Sequence, residues 1–103
     1  MKIRLILAAT ALAAAPGVHA QDIDALMKKY ACSACHTVDK KVIGPSYKDV
    51  AAKYRGNADA PALLAKKIKD GGVGTWGQIP MPPNASVPDA DIKLLVADIL
   101  KIK

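Results

Sequence analysis

Apolar residues recur at steps of three and four positions in four separate stretches of the chain, the spacing of one buried helix face. The strongest periodicity lies in the last stretch, which begins near residues 86–89 and carries Ile92, Leu95, Val96 and Ile99. No stretch reads as a convincing β-strand. The pattern therefore predicts an all-α fold of about four helices.

The first helical stretch begins with two acidic residues, Asp22 and Asp24, which favour a helix N-terminus. Its apolar positions are Ile23, Leu26, Met27, Tyr30 and Ala31. Because this spacing continues up to Cys32, we expect the first helix to run into the cysteines that follow.

The two middle helices have recognisable start and stop signals. The second is predicted to begin after Ser46, which resembles a capping pair with Asp49, and to stop at Gly56. The third opens near Pro61, since proline suits the first turn of a helix, and ends at Gly71.

A long segment from Gly71 to about Val87 connects the third helix to the last and is rich in glycine and proline. Loops of this length in compact domains are more often functional than idle. The segment holds Trp76 and Met81, so we expect functional side chains there.

The first twenty residues have the three-part pattern of a secretory signal peptide. Lys2 and Arg4 precede an apolar run over residues 5–15, which is followed by the small-residue end Val18-His19-Ala20. The alternatives are an amphipathic helix and a membrane-spanning helix; a span needs about 20 apolar residues, and this run is shorter. We expect residues 1–20 to be cleaved, and residues 21–103 to form one domain in the periplasm without stable membrane insertion.

The exported domain has little aromatic volume for its core. Removing residues 1–20 from 103 leaves 83, and small chains bury a smaller fraction of their surface. Phe is absent, and the large aromatic side chains are Tyr30, Tyr47, Tyr54 and Trp76. Chains of this size often need an additional stabilising element. The composition therefore predicts that a bound group fills part of the interior.

The charge of the exported domain is modestly positive. Loss of Lys2 and Arg4 reduces the 15 basic residues to 13, against nine acidic residues that are all Asp, for a formal charge of +4. Such a balance suits an acidic protein partner, and no interleaved arginine and aromatic pattern points to nucleic acid. We expect protein partners and no nucleic acid.

Cys32-Ser33-Ala34-Cys35-His36 is a C-x-x-C-H sequence, the pattern of covalent haem attachment. Two thiols one turn apart can each add to a vinyl group of one haem, while His36 presents an imidazole to the iron. A redox disulfide is a weaker interpretation, because thioredoxin-like motifs lie near a βαβ pattern. A structural zinc site is weaker still, since it needs four ligands.

A second axial ligand for the iron has few candidates, of which the thioethers are Met27 and Met81. Met27 lies on the apolar stripe of the first helix, where core packing is its ordinary role. Met81 lies within Ile79-Pro80-Met81-Pro82-Pro83-Asn84, whose prolines deny the backbone helix or strand. A rigid, non-helical backbone suits a ligand, so Met81 is preferred; the alternative is a gap-filling core residue.

Three segments together resemble the short bacterial class I cytochromes c. They are Cys32-Ser33-Ala34-Cys35-His36, Gly44-Pro45-Ser46-Tyr47-Lys48-Asp49-Val50-Ala51-Ala52-Lys53-Tyr54 and Gly74-Thr75-Trp76-Gly77-Gln78-Ile79-Pro80-Met81-Pro82-Pro83-Asn84. The similarity covers essentially all of residues 21–103 in order. It implies a small all-α class I fold in which the first and last helices cross, around one haem c with an exposed edge, bound covalently through Cys32 and Cys35.

The resemblance also implies the ligands and one of their supports. His36 and Met81 are the axial ligands of the haem iron. Pro45 offers its carbonyl to the ring NH of His36, as outer partners of metal ligands commonly do. The plainer alternative for Pro45 is that it ends a loop.

Three further residues are implied to act around the haem. Asn84 would hydrogen-bond near the Met81 sulfur, and Trp76 would donate its indole NH to a propionate. Lys67 stands where such proteins commonly have Arg, and Lys lacks the bidentate fork for a propionate. The alternatives are that Asn84 satisfies its own turn and that Trp76 is a core residue.

The function implied by the resemblance is electron carriage by a monomer, not catalysis. Two protein ligands fill both axial positions of the iron, and a Met ligand raises the reduction potential. Family members feed nitrite reductases and terminal oxidases, so larger redox proteins are the expected partners. The alternatives are a peroxidase-like enzyme from which Met81 departs, a dithiol oxidoreductase and a ligand-binding sensor.

Overall fold

The computed structural model describes residues 23–103, and the predicted signal peptide lies outside the described residues. The elements in chain order are α1 (Ile23–Lys29), a 3-10 turn (Cys32–Ala34), α2 (Tyr47–Tyr54), α3 (Ala60–Asp70) and α4 (Asp89–Leu100). Residues 23–103 contain two isolated antiparallel bridges and no β-strand, which confirms the all-α prediction. None of the helices in this range has the length and hydrophobicity that a membrane crossing requires.

The first helix is shorter than the apolar spacing predicted. α1 ends at Lys29, and Ala31 adopts a left-handed conformation, with φ 60° and ψ 19°, just before the 3-10 turn. A left-handed residue cannot continue a right-handed helix, so the chain changes direction there. The expectation that the first helix runs into the cysteines was therefore wrong.

The predicted start of α2 and the predicted end of α3 are confirmed, whereas α2 ends at Tyr54, two residues before the predicted stop at Gly56. The backbone N–H of Asp49 donates to Ser46 Oγ over 3.1 Å, which caps the start of α2. Gly71 ends α3 with a φ of 72°, and its N–H donates to the Lys67 carbonyl over 2.9 Å. A left-handed residue at this position is the usual end of a helix and favours glycine.

α4 provides the centre of the hydrophobic core. The stripe predicted for the last helix is confirmed, because Ile92, Leu95, Val96 and Ile99 are all buried. It packs with buried side chains from the other three helices, namely Leu26, Met27, Tyr47, Val50 and Leu64. A hydrogen bond from Tyr30 Oη to the Asp91 carboxylate also joins the end of α1 to the first turn of α4.

We expect Ala31→Gly to stabilise the protein by about 1 kcal/mol, because a left-handed conformation costs alanine roughly 1–2 kcal/mol and costs glycine little. The greater freedom of glycine in the unfolded chain reduces the gain. Urea unfolding followed by far-UV circular dichroism measures the difference. Ala52→Gly, at an exposed position within α2, is the matched control and should destabilise by about 0.5–1 kcal/mol. Equal destabilisation by both substitutions would contradict the left-handed assignment.

Candidate functional site

A cavity of about 320 Å³ lies between helices α2, α3 and α4, the 3-10 turn and the loop over residues 71–87. Its wall is mainly apolar. All eight residues that the sequence predicted for the site line this cavity: Cys32, Cys35, His36, Pro45, Lys67, Trp76, Met81 and Asn84. The fold thus brings together side chains from separate parts of the chain.

The two cysteines lie on and beside the 3-10 turn. The N–H groups of Cys35 and His36 donate to the Cys32 carbonyl over 3.1 and 3.0 Å, which closes the turn. Both thiols are half-buried, and no disulfide joins them. Burial raises the pKa of the Cys32 thiol, and a negative charge on Cys35 would raise it further. The turn therefore presents the sulfur atoms of Cys32 and Cys35 to one cavity.

The imidazole of His36 is held from one side by the segment that precedes α2. Its Nδ1 lies 2.8 Å from the Pro45 carbonyl oxygen, the contact that the resemblance implied. Because the carbonyl can only accept, Nδ1–H is the donor and Nε2 is left for a metal. The ring also stacks on the buried Tyr47 ring, with centroids 5.2 Å apart and planes inclined by 17°.

Met81 is positioned by backbone hydrogen bonds to the end of α3. Gly72 and Met81 form an antiparallel bridge, with N–H to carbonyl distances of 3.1 and 2.8 Å. Three residues later the N–H of Asn84 donates to the Ile68 carbonyl over 3.0 Å. Met27, by contrast, is buried in the core and does not line the cavity.

The remaining predicted residues have different partners. Trp76 is 42% exposed, and the Lys53 ammonium lies 5.4 Å from the centroid of its ring. Lys67 is half-buried, and its side chain lies over Gly72. A Cβ added at Gly72 would come within 2.7 Å of Lys67 Nζ. The side-chain amide of Asn84 donates to the Pro82 carbonyl over 3.2 Å, the turn contact weighed as its plainer alternative.

Sequence reasoning missed three residues that shape the site. From the sequence, Tyr47 was named only among the large aromatic side chains, and Lys53 and Gly44 were given no role. An added Cβ at Gly44 would lie 2.9 Å from His36 Nδ1, closer than real Cβ contacts. All three residues lie in the segment from Gly44 to Tyr54 that carries part of the family resemblance. Because that segment leads directly from Pro45 into α2, their positions in it were the available signal.

The groups around the cavity fit a covalently bound haem. Two thiols, an imidazole and a thioether on an apolar wall are the attachment and ligand chemistry of a c-type haem. Within residues 23–103 no group of three or more His, Cys, Asp or Glu side chains is placed to hold a metal ion directly. The zinc alternative therefore has no ligand set in the described part of the chain.

Comparison with known proteins agrees with this chemistry. The family model for cytochrome c matches residues 15–103. Cytochrome c-551 of Allochromatium vinosum is 54% identical over 94 residues, covering 91% of this chain and 98% of the relative. Cytochrome c-552 of Nitrosomonas europaea is 55% identical over 96 residues, covering 93% of this chain and 91% of the relative.

The fold is matched as well as the sequence. The crystal structure of wild-type Nitrosomonas europaea cytochrome c552 superposes with a TM-score of 0.75 at 56% identity, covering 78% of this chain and 99% of that one. A class 1 cytochrome of Sideroxydans lithotrophicus superposes with a TM-score of 0.66 at 36% identity, covering 78% and 91%. The chain therefore belongs to the cytochrome c family, as a small class I electron carrier with one haem c bound covalently through Cys32 and Cys35.

Proposed function

We propose that this protein is a periplasmic carrier that moves single electrons between larger redox proteins, with His36 and Met81 as the axial ligands of its haem iron. The observation that carries the assignment is that both side chains line the cavity that holds the two thiols. The competing thioether, Met27, is 4% exposed and belongs to the core between α1 and α4.

The bound haem supplies a reversible one-electron couple, and the chain's own residues limit how much the site moves. The Pro45 carbonyl orients the imidazole of His36. The bridge between Gly72 and Met81 holds the thioether segment against the end of α3. Ligands fixed in this way need little rearrangement between oxidation states, which suits rapid electron exchange.

Both axial positions are then occupied by the protein, which supports carriage rather than catalysis. A peroxidase-like reaction would require Met81 to leave, against the backbone bonds at Gly72 and Asn84 that hold its segment. A dithiol oxidoreductase would require free Cys32 and Cys35, which the haem consumes. No substrate site on the iron is needed for the function proposed.

Trp76 and Lys67 are proposed to meet the haem propionates, and Asn84 to support the Met81 sulfur. Trp76 and Lys67 line the cavity and are partly exposed, as polar contacts at a cavity mouth require. Lys67 acts as a point charge there and lacks the fork of an arginine. The Asn84 amide has two N–H donors, so one can donate to the Pro82 carbonyl and the second to the sulfur.

Residues 1–20 are proposed to be a signal peptide that is removed on export, which leaves the cytochrome domain over residues 21–103. The support is the order of basic residues, apolar run and small residues at the start of the chain. Covalent haem attachment by a small exported carrier agrees with a periplasmic location.

Docking to an acidic redox partner, such as a nitrite reductase or a terminal oxidase, is proposed to use a lysine-rich surface. The exposed members of that surface are Lys28, Lys29, Lys40, Lys41, Lys48, Lys53 and Lys66. Lys69 is less available, because it lies 3.1 Å from Asp89 and donates to the Val87 carbonyl. Charges of this kind act over about 8 Å at physiological salt and mainly change the association rate of a monomeric carrier.

The haem is expected to remain with the polypeptide through denaturation and acidic organic extraction, because Cys32 and Cys35 hold it by thioether bonds. Absorption of the extracted protein and its intact mass measure retention. Replacing both cysteines by Ala should leave little folded holoprotein, since the cofactor supplies part of a small core. Haem recovered in the organic phase would contradict covalent attachment.

Met81→Ala should open a coordination site, lower the reduction potential and allow carbon monoxide to bind the reduced protein, because a Met ligand raises the potential. Visible spectroscopy with and without carbon monoxide, and a redox titration, measure these changes. Met27→Leu is the matched control and should leave the spectrum nearly intact, since it is a volume-conserving core change. Loss of the sulfur-to-iron charge-transfer band in Met27→Leu instead would overturn the ligand assignment.

Charge reversal at Lys40, Lys48 or Lys66 should slow bimolecular electron transfer to an acidic partner about two- to fivefold at low salt and weaken its salt dependence. The reduction potential should barely move. Second-order rates across a range of ionic strength test this. Lys93→Glu is the control, because Lys93 lies in the groove between α3 and α4 and does not line the haem cavity. If the rates changed with neither salt nor substitution, electrostatic docking would be contradicted, and apolar contact would remain as the force that holds the partners together.

A further inference from the structure

The ring of His36 has three neighbours in one short segment. The Pro45 carbonyl oxygen lies 2.8 Å from Nδ1, and the Tyr47 ring stacks on the imidazole with planes inclined by 17°. The backbone of Gly44 approaches so closely that an added Cβ would lie 2.9 Å from Nδ1 and 3.0 Å from Nε2. The imidazole therefore has little room to tilt.

Tyr47 is itself immobilised, which makes it a firm support for the imidazole. Its side chain is 5% exposed, and it is the first residue of α2, directly after the buried cap Ser46. The N–H of Tyr47 donates to the Thr37 carbonyl over 3.0 Å, and the next N–H donates to the Val38 carbonyl over the same distance. The start of α2 is thus tied to the residues that directly follow His36.

The hydrogen bond at Nδ1 and a bond from Nε2 to iron would restrain two atoms of the ring and still leave its plane able to rock about the line between them. A nearly parallel aromatic neighbour removes this freedom, because offset stacking favours one relative orientation of the two planes. We propose that Tyr47 is a positioning residue for His36 and holds the imidazole plane in one orientation. The inference deepens the proposed function and depends on His36 being an axial ligand.

The consequence for the carrier is a ligand of constant orientation and donor strength. A well-aligned hydrogen bond from Nδ1–H to the Pro45 carbonyl makes the imidazole a stronger donor through Nε2. A stronger donor favours the oxidised iron and lowers the reduction potential. If Tyr47 keeps that hydrogen bond aligned, its removal should raise the potential without changing the identity of the ligands.

The test is Tyr47→Leu, with solvent exchange of the His36 Nδ1 proton measured by NMR in the reduced holoprotein. We expect exchange about three- to tenfold faster than in wild type, which corresponds to the free energy of one aromatic pair. The reduction potential should rise in the same variant. Tyr47→Phe keeps the ring and should match wild type in both measurements.

Leu26→Ala is the control for a general loss of stability. Leu26 is buried in the core but does not line the cavity, so its removal should weaken the fold and leave exchange at His36 close to the wild-type rate. An exchange rate in Tyr47→Leu no faster than in Leu26→Ala would overturn the positioning role.

Two NMR measurements on the wild-type protein test the contact between the rings and the coordination of His36. If Tyr47→Leu does not accumulate as holoprotein, a nuclear Overhauser effect between the two rings supports the proposal, and its absence overturns it. In the oxidised protein, large hyperfine shifts of the His36 ring protons report coordination to iron. Without those shifts the ligand assignment fails and the inference fails with it, whereas shifts with unchanged exchange overturn the role of Tyr47 alone.

Discussion

The apolar contact between the cavity wall and haem c is the interaction on which this small domain depends. Val50, Leu64, Leu95 and Ile99 belong both to the buried core and to the lining of the cavity. Filling the cavity therefore completes the packing of the same side chains that join α2, α3 and α4. In a chain with no Phe, the covalently attached group takes the place of aromatic core volume. Binding of the cofactor therefore contributes directly to the stability of the fold.

The loop that carries Met81 shows how a glycine- and proline-rich segment can still position a proposed ligand. It is held by backbone pairing with the end of α3 and by close packing at Gly71, and it forms neither helix nor strand. An added Cβ at Gly71 would lie 2.8 Å from the Pro83 nitrogen, so only glycine fits this approach. Lys69 adds a hydrogen bond to the Val87 carbonyl at the far end of the loop.

The acidic and the basic side chains have different roles in this structure. Asp24, Asp89 and Asp91 lie in the first turns of α1 and α4, where a negative charge stabilises the helix dipole. Asp91 also accepts the hydrogen bond from Tyr30, which is the main reason that the pKa of Tyr30 is raised. Several acids are thus engaged at helix starts, whereas Lys28, Lys29, Lys40 and Lys41 are exposed.

Features defined by neighbouring residues could be predicted from the sequence. The C-x-x-C-H motif, the stripe of α4, the cap at Ser46 and the stop at Gly71 are all short-range patterns, and each was found where its residues predicted. The left-handed Ala31 could not be predicted, because the apolar spacing around it continues unbroken while a single backbone angle changes. The stack of Tyr47 on His36 and the contact of Lys53 with Trp76 were also missed. Such contacts depend on how helices and loops pack against one another, and no periodicity within one segment records that relative placement.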